Sequence, residues 1–392
     1  MIAEATGRLH SDAQATFALQ LAKISISRSQ VQRIARQVGQ EMIHERDRKV
    51  EQRRKRELPV RVSLMPKVVA MEVDGGRLRT RASERGPGVH DVQGKEDKVA
   101  CLVTLSSQRF EYDPQPEPPD SFRQPRRIRR LVVQMKGMAA ESENRPEISE
   151  EIEPVEQPKP SRSTDYAGQP RRLVRTCVAS MASSDKFGPM MAAEAQERGF
   201  YQAQRKAFIA DGASGNWSIH RGYFGDFVAI VDFLHVLCYV YQAAMGTCEN
   251  EREGWSVYER WLRACWQGRV DEVLAELRLI QERVGIVRDH EELDKKDPRR
   301  LVAEALSYLT NNRSRMDYPC YRREGLPITS SLVESLVGEF NARVKSRQKF
   351  WNRPDGAEPV LQLRAAVLSE DDRLERFFEK RQGNPYRGRI AA

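Results

Sequence analysis

Three acids stand where carboxylates could do metal-dependent chemistry. Asp74 closes an alternating apolar run, Val69, Met71 and Val73, and precedes Gly75. Asp211 ends the apolar stretch Lys206 to Ala210 in the same way and precedes Gly212. Glu334 falls in the first turns of a helix that starts near Ser330 and carries Val333, Leu336, Val337, Phe340 and Val344 at helical spacing. Carboxylates projecting from neighbouring strand ends and a nearby helix can converge although they lie far apart in the chain. Mg²⁺ or Mn²⁺ takes oxygen ligands and keeps several waters, so a few carboxylates and a substrate phosphate complete the coordination of two ions. Two ions about 4 Å apart stabilise the attacking and leaving oxygens of an in-line phosphoryl displacement. Each acid also has a structural reading. Asp-Gly after a strand is a common turn, and a glutamate in the first helical turn complements the helix dipole.

Other residues near these acids carry two readings each. Asp232 with His235 three positions on is complete as a helix N-cap; it also suits a supporting role beside Asp211. As a zinc site the pair lacks further ligands at matching spacing. Trp217 and Trp351 are either core residues or platforms for unpaired bases at a cut DNA end. Trp351 follows Arg343, Lys345, Arg347 and Lys349, which favours nucleic acid for that residue.

The elements that must position these groups follow from periodicity. Residues 11–42 read as two helices with a turn at Lys23 to Ser27. The second has Val31, Ile34, Ala35, Val38 and Met42 on one stripe. Its other face offers Gln30 and Arg33 near the N-terminus, the pattern of a helix-turn-helix recognition helix and equally of a plain helical hairpin. The basic run 46–56, with Arg53, Arg54 and Arg56, continues that helix and suits phosphates. Residues 67–105 read as short antiparallel strands, with a turn at Asp74-Gly75-Gly76. The proline-rich and charged stretch 112–170 reads as largely disordered, with an apolar island at Leu131 to Val133. From 171 strands and helices alternate, which indicates an α/β core. Residues 250–312 read as almost wholly helical.

Lys and Arg number 65 against 56 Asp and Glu, and the clustering of the bases favours a polyanionic partner. The six cysteines form no Cys-x-x-Cys pair, so reduced and mostly buried thiols are expected. No apolar run is long enough for a membrane span, and a cytoplasmic protein is expected.

The flanks of the three acids produce a family resemblance. Val69-Ala70-Met71-Glu72-Val73-Asp74-Gly75-Gly76 resembles the first-aspartate strand of DDE insertion-sequence transposases. Asp185-Lys186-Phe187-Gly188 with Ala192 to Ala195 is similar to the helix before their second aspartate. Phe208-Ile209-Ala210-Asp211-Gly212-Ala213 is similar to the second-aspartate strand, and Ile230 to Val236 to the Asp-x-x-His segment after it. Gly325 to Ser335 resembles the third-acid segment, with Arg343, Lys345 and Trp351 as its basic and aromatic tail. The nearest group is the ISKra type, related to Mutator-like transposases. Members often carry a cysteine-rich zinc segment ahead of the catalytic core; no such cluster stands here, which bears on transposition competence more than on fold.

The resemblance implies an RNase H-like core, a mixed sheet with flanking helices, interrupted by an all-α insertion and preceded by the helix-turn-helix-like segment. The layout expected is a DNA-binding segment at 1–56, core pieces at 67–111, 171–249 and 325–370, the disordered insertion 112–170, the helical insertion 250–324 and a basic tail 371–392. The implied activity is DNA cleavage and strand transfer at element ends. Asp74, Asp211 and Glu334 would hold two Mg²⁺ or Mn²⁺ ions, and a homodimer or higher oligomer would form on double-stranded DNA at the nucleoid. The competing readings are an inactive or domesticated transposase that only binds DNA, and a cellular RNase H-like nuclease.

Overall fold

A computed structural model of the chain describes residues 1–80, 93–136, 167–288, 291–344, 351 and 356–381. Helices α1 (Ile2–Arg8), α2 (Asp12–Leu21) and α3 (Arg28–Arg54) precede strands β1 (Val68–Thr80) and β2 (Gln93–Ser106). Helix α4 (Pro125–Lys136) precedes β3 (Arg171–Ser180), α5 (Ser184–Glu197), β4 (Arg205–Ala210), α6 (Ser214–Tyr223) and β5 (Val228–Val231). Then come α7 (Phe233–Thr247), α8 (Glu251–Trp266), α9 (Val270–Val284), α10 (Pro298–Asn312) and α11 (Tyr318–Arg323). The last helices are α12 (Ser331–Val344), α13 (Glu358–Leu368) and α14 (Arg373–Lys380). The architecture is α/β: one open mixed sheet, in the order β3-β2-β1-β4-β5, with flanking helices. No described helix is long and apolar enough to cross a membrane.

Two compact units share the chain. The first holds 1–106, 170–229 and 330–392; the second holds 107–169 and 230–329. The chain passes from one to the other within β5.

In the first unit β1 and β2 are central strands. Val68 to Val73 and Val99 to Val103 are buried at every position, as strands covered on both faces must be. The turn expected at Asp74-Gly75-Gly76 does not form. β1 runs straight through it, pairing Asp74 with Val99, Gly75 with Lys98 and Gly76 with Asp97. The glycines serve close approach instead of reversal: a Cβ on Gly76 would lie 2.8 Å from Asp97 Oδ1.

Helices α1 to α3 fold as part of this unit. Ala35, Val38 and Met42 of α3 share an apolar cluster with Ala3, Leu363 and Ala366. α3 and α13 approach so closely that a Cβ on Gly39 would sit 2.3 Å from the Pro359 carbonyl oxygen. The start of α3 is fixed by a capping box, in which Gln30 N donates to Ser27 Oγ and Ser27 N donates to Gln30 Oε1. The basic run is the second half of this one helix.

The second unit is helical and gathers around aromatic rings. Phe233 lies 5.0 Å from Trp266 and 4.9 Å from Tyr318 between ring centroids. Residues 113–136 are built into it, against the expectation of disorder. Phe122, Ile128 and Val132 are buried, Tyr258 Oη donates to Phe122 O at 2.9 Å, and Trp266 Nε1 donates to Gln115 O at 2.8 Å. Arg322, fully buried, stacks 4.2 Å from the Trp266 ring and pairs with Asp113. The apolar island at Leu131 to Val133 is part of α4. Residues 137–166 lie outside the described residues. The helical unit begins at Ile230 and not at 250, because α7 packs against α8 and α10.

Candidate functional site

β1 and β4 run parallel, and their last registered pair is Val73 with Ala210. The next residue of β1 and the residue that follows β4 are both aspartates, so Asp74 and Asp211 stand side by side where the β1–β4 pairing ends, while β1 continues along β2 to Thr80. Neighbouring strands are about 4.8 Å apart, which sets the scale of their separation. Both are half-buried. Strand alternation puts Asp74 on the face that also carries Glu72, and β4 presents Asp211 to that same face, since Glu72 pairs with Ile209. The C-terminal edge of parallel strands is where open α/β sheets place ligands.

Each aspartate is oriented by an amide. Asp74 Oδ1 accepts from Gly75 N at 2.7 Å. Asp211 Oδ1 accepts from Ala213 N and from Asn216 Nδ2, both at 2.9 Å, which forms the turn that launches α6. Amide donors fix a carboxylate's direction without cancelling its charge. Asn216 is itself buried, so Asp211 is held from within the core.

Helix α12, which carries Glu334, packs on β1 and β2. The Glu334 side chain lies outside the described residues, as do Lys345, Arg347 and Lys349. Among the described residues no three His, Cys, Asp or Glu side chains gather as a ready metal cage. Two further acids belong to the same sheet face and escaped the sequence reading. Glu72 and Asp97 are both fully buried. Asp97 is cross-strand from Gly76, one diagonal step from Asp74, and Asn341 of α12 reaches the same point. The signal that could have exposed Asp97 is the glycine pair opposite it, which makes room for its side chain.

The supporting pair Asp232 and His235 is in the second unit. Asp232, fully buried, caps α7 by accepting from Leu234 N at 3.2 Å, and it accepts or shares a proton with His235 Nδ1 at 2.7 Å.

The expected DNA contacts divide. Trp217 is core, 4% exposed and packed on Phe208 and His220. Trp351 is half-buried and tied down, its Nε1 donating to Val344 O at 2.9 Å. Arg343 is buried, donates to Thr6 O and pairs with Asp12, so it braces α12 against α1 and α2. Arg53 donates to Tyr201 Oη at 3.1 Å and lies over the Tyr201 and Tyr223 rings. Arg54 is exposed and paired with Glu51; Arg56 is exposed. Gln30 is exposed but its oxygen serves the capping box, whereas Arg33 is exposed on the helix surface.

A second charged cluster of this unit lies between α3, α5 and α14. Glu194 pairs with Lys49 at 3.3 Å and with Arg373 at 2.9 Å, and Arg373 also holds Asp371 at 2.8 Å. Thr176 Oγ1 donates to Asp371 at 2.9 Å. Burial pushes the Glu194 carboxyl up, but Arg373 and Lys49 outweigh it and hold it at about 2. The described cysteines form no disulfide, and burial pushes Cys177 up to about 11 and Cys265 to about 12.

Compared with models of known protein families and with curated proteins, the chain matches none.

Proposed function

We propose that the chain is a metal-dependent phosphoryl-transfer enzyme acting on DNA, a transposase of the DDE type with an RNase H-like core. The observation that carries this reading is the placing of Asp74 and Asp211 side by side at the end of a parallel strand pair, on the face covered by the helix that bears Glu334. The sheet order supports it, as do the resemblances around all three acids.

The donor chemistry fits the cofactor. Asp74, Asp211 and Glu334 offer only carboxylate oxygen, the ligand that Mg²⁺ and Mn²⁺ prefer. Two ions bound there would supply charge stabilisation to the attacking and leaving oxygens at a DNA phosphate. The chain's own part is positional. The Gly75 amide aims Asp74, the Asn216 and Ala213 donors aim Asp211, and α12 brings in the third acid. Buried Asn216 keeps Asp211 from swinging, so this carboxylate is set before DNA arrives.

The test is cleavage of DNA flanking the chain's own gene by the full-length protein, with Mg²⁺ or Mn²⁺ and with Ca²⁺ as the unproductive control. Asp74→Asn, Asp211→Asn and Glu334→Gln should each slow cutting at least roughly 10²-fold, by analogy with loss of a single preorganised charge stabiliser. Undiminished cutting by any of the three removes that residue from the metal site. The second reading, DNA binding without catalysis, is favoured by the exposed polar face of α3 and predicts tight binding with no cut in any metal.

A further inference from the structure

We propose that Cys101 and Cys177 form a dithiol–disulfide pair, a modification site at which a small peroxide joins β2 to β3. The inference goes beyond the phosphoryl-transfer reading and does not depend on it. The two cysteines are far apart in the chain and belong to no Cys-x-x-Cys motif, so their spacing gives no sign of the pair. The antiparallel register of β2 with β3 sets Cys101 directly opposite Cys177. Directly opposed residues turn their side chains to the same face of a sheet, where they meet.

The hydrogen bonds of β3 fix the kind of pair. β3 is an edge strand, and Cys177 N donates to Ser369 Oγ at 2.9 Å, on the side away from β2. On that same outer side Arg175 O accepts from Glu370 N at 2.8 Å and Ala179 O accepts from Gln362 Nε2 at 2.7 Å. Backbone groups of alternate residues point to one side of a strand, so those of Cys177 are directed away from Cys101. The two cysteines are therefore a non-hydrogen-bonded pair, the kind with Cα atoms about 4.5 Å apart and side chains closest. A disulfide takes Cα separations of about 4.4–6.8 Å, so the bridge fits the sheet as it stands.

Both cysteines are buried, and Cys177 is among the residues lining a cavity of about 650 Å³ whose rim carries the exposed Arg61 and Arg376. A small peroxide can enter there. Burial, and then Cys177 beside it, push the Cys101 thiol well up, and burial raises Cys177 to about 11. Arg175, two residues along β3 on the same face, opposes the rise at both sulfurs. The thiols are thus mostly protonated and slow at neutral pH, and it is their proximity that favours the bridge. The Cys177 thiolate attacks one oxygen of hydrogen peroxide, the O–O bond breaks, and the departing hydroxide takes up the thiol proton as water. The resulting sulfenic acid is attacked by the Cys101 sulfur; the S–S bond forms, the S–O bond breaks, and a second water leaves. Two thiols and one peroxide give one disulfide and two waters, with the sulfurs oxidised and the peroxide reduced.

The experiment treats the native full chain with hydrogen peroxide, blocks the remaining thiols with an alkylating reagent in denaturant, and reads the digest by mass spectrometry without reductant. A peptide pair joined at Cys101 and Cys177, and parted by dithiothreitol, is expected. The bridged chain should melt about 5–10 °C above the reduced one, because the cross-link closes a long loop in the unfolded chain. Cys101→Ala should lose both the joined peptides and the peroxide-dependent rise in melting. The wild-type readings stand by themselves if that variant fails to fold. Recovery of Cys101 and Cys177 as alkylated thiols, after peroxide has consumed the half-buried Cys248 and Cys320, overturns the proposal. So does a bridge that forms only in urea-unfolded chain, or one that lowers the melting midpoint.

Discussion

Two charged regions of the first unit answer burial in opposite ways. Between α3, α5 and α14, Glu194 and Asp371 are enclosed by Lys49 and Arg373, so each acid is matched by a cation from the same chain. Where the pairing of β1 with β4 ends, Asp74 and Asp211 accept from amides, and Glu72 and Asp97 share their face. The first arrangement is finished on folding and serves stability. The second brings four acids to one face of the sheet and aims two of them with amide donors, the kind of oxygen-ligand set that a divalent cation takes.

The largest effect should come from breaking the matched cluster. Arg373→Met leaves Glu194 and Asp371 short of their shared cation and should cost about 3–5 kcal/mol in urea unfolding. Cleavage per folded molecule should stay at the wild-type level. A loss below about 1 kcal/mol would make this an ordinary surface pairing and erase the contrast.

Substitution at the other region should invert that outcome. Asp211→Asn keeps an oxygen to accept from Ala213 N and Asn216, so stability should move by less than about 1 kcal/mol while cutting falls at least roughly 10²-fold. A melting loss as large as that of the Arg373 variant would make Asp211 a structural cap.

Acid sharpens the comparison further. The Glu194 carboxyl is held at about 2, below its ordinary 4.5. A depressed carboxylate contributes stability above its unfolded value and loses it as pH falls towards the folded one. Stability should therefore decline between about pH 4.5 and 2, and Glu194→Gln should flatten that limb. An acid limb unchanged by the substitution would remove Glu194 as its source.

The smallest effect should be at Arg53. Arg53→Gln gives up the Tyr201 hydrogen bond and two ring contacts, worth about 1 kcal/mol of stability. The salt slope for DNA should not change. A flatter slope would return Arg53 to the DNA surface.

Much of this was legible in the residues. The period-two run into Asp74 located β1 though not its end, which is at Thr80; the apolar run into Asp211 located the end of β4, and the 3.6-residue stripe from Val31 to Met42 located α3. Their parallel adjacency was not legible, since pairing is a long-range choice. Asp-Gly-Gly misled because glycine serves both reversal and close packing, and only the partner strand with Asp97 decides between them. Residues 113–136 misled because prolines and arginines dominate the composition, while the few apolar residues Phe122, Ile128 and Val132 do the packing. The arginines misled in a third way. Arg343 and Arg53 are basic in sequence but spent on Asp12 and Tyr201 in the fold.

The central claim is that Asp74 and Asp211 hold a divalent cation, and Mn²⁺ binding tests it most directly. Free Mn²⁺ gives a sharp paramagnetic resonance signal that disappears on coordination. Titrated with the full-length wild-type chain, the signal should fall, and Mg²⁺ should restore it by competition. Asp74→Asn/Asp211→Asn, with wild-type melting, should leave the signal undiminished. Equal Mn²⁺ uptake by wild type and the double variant would contradict the account.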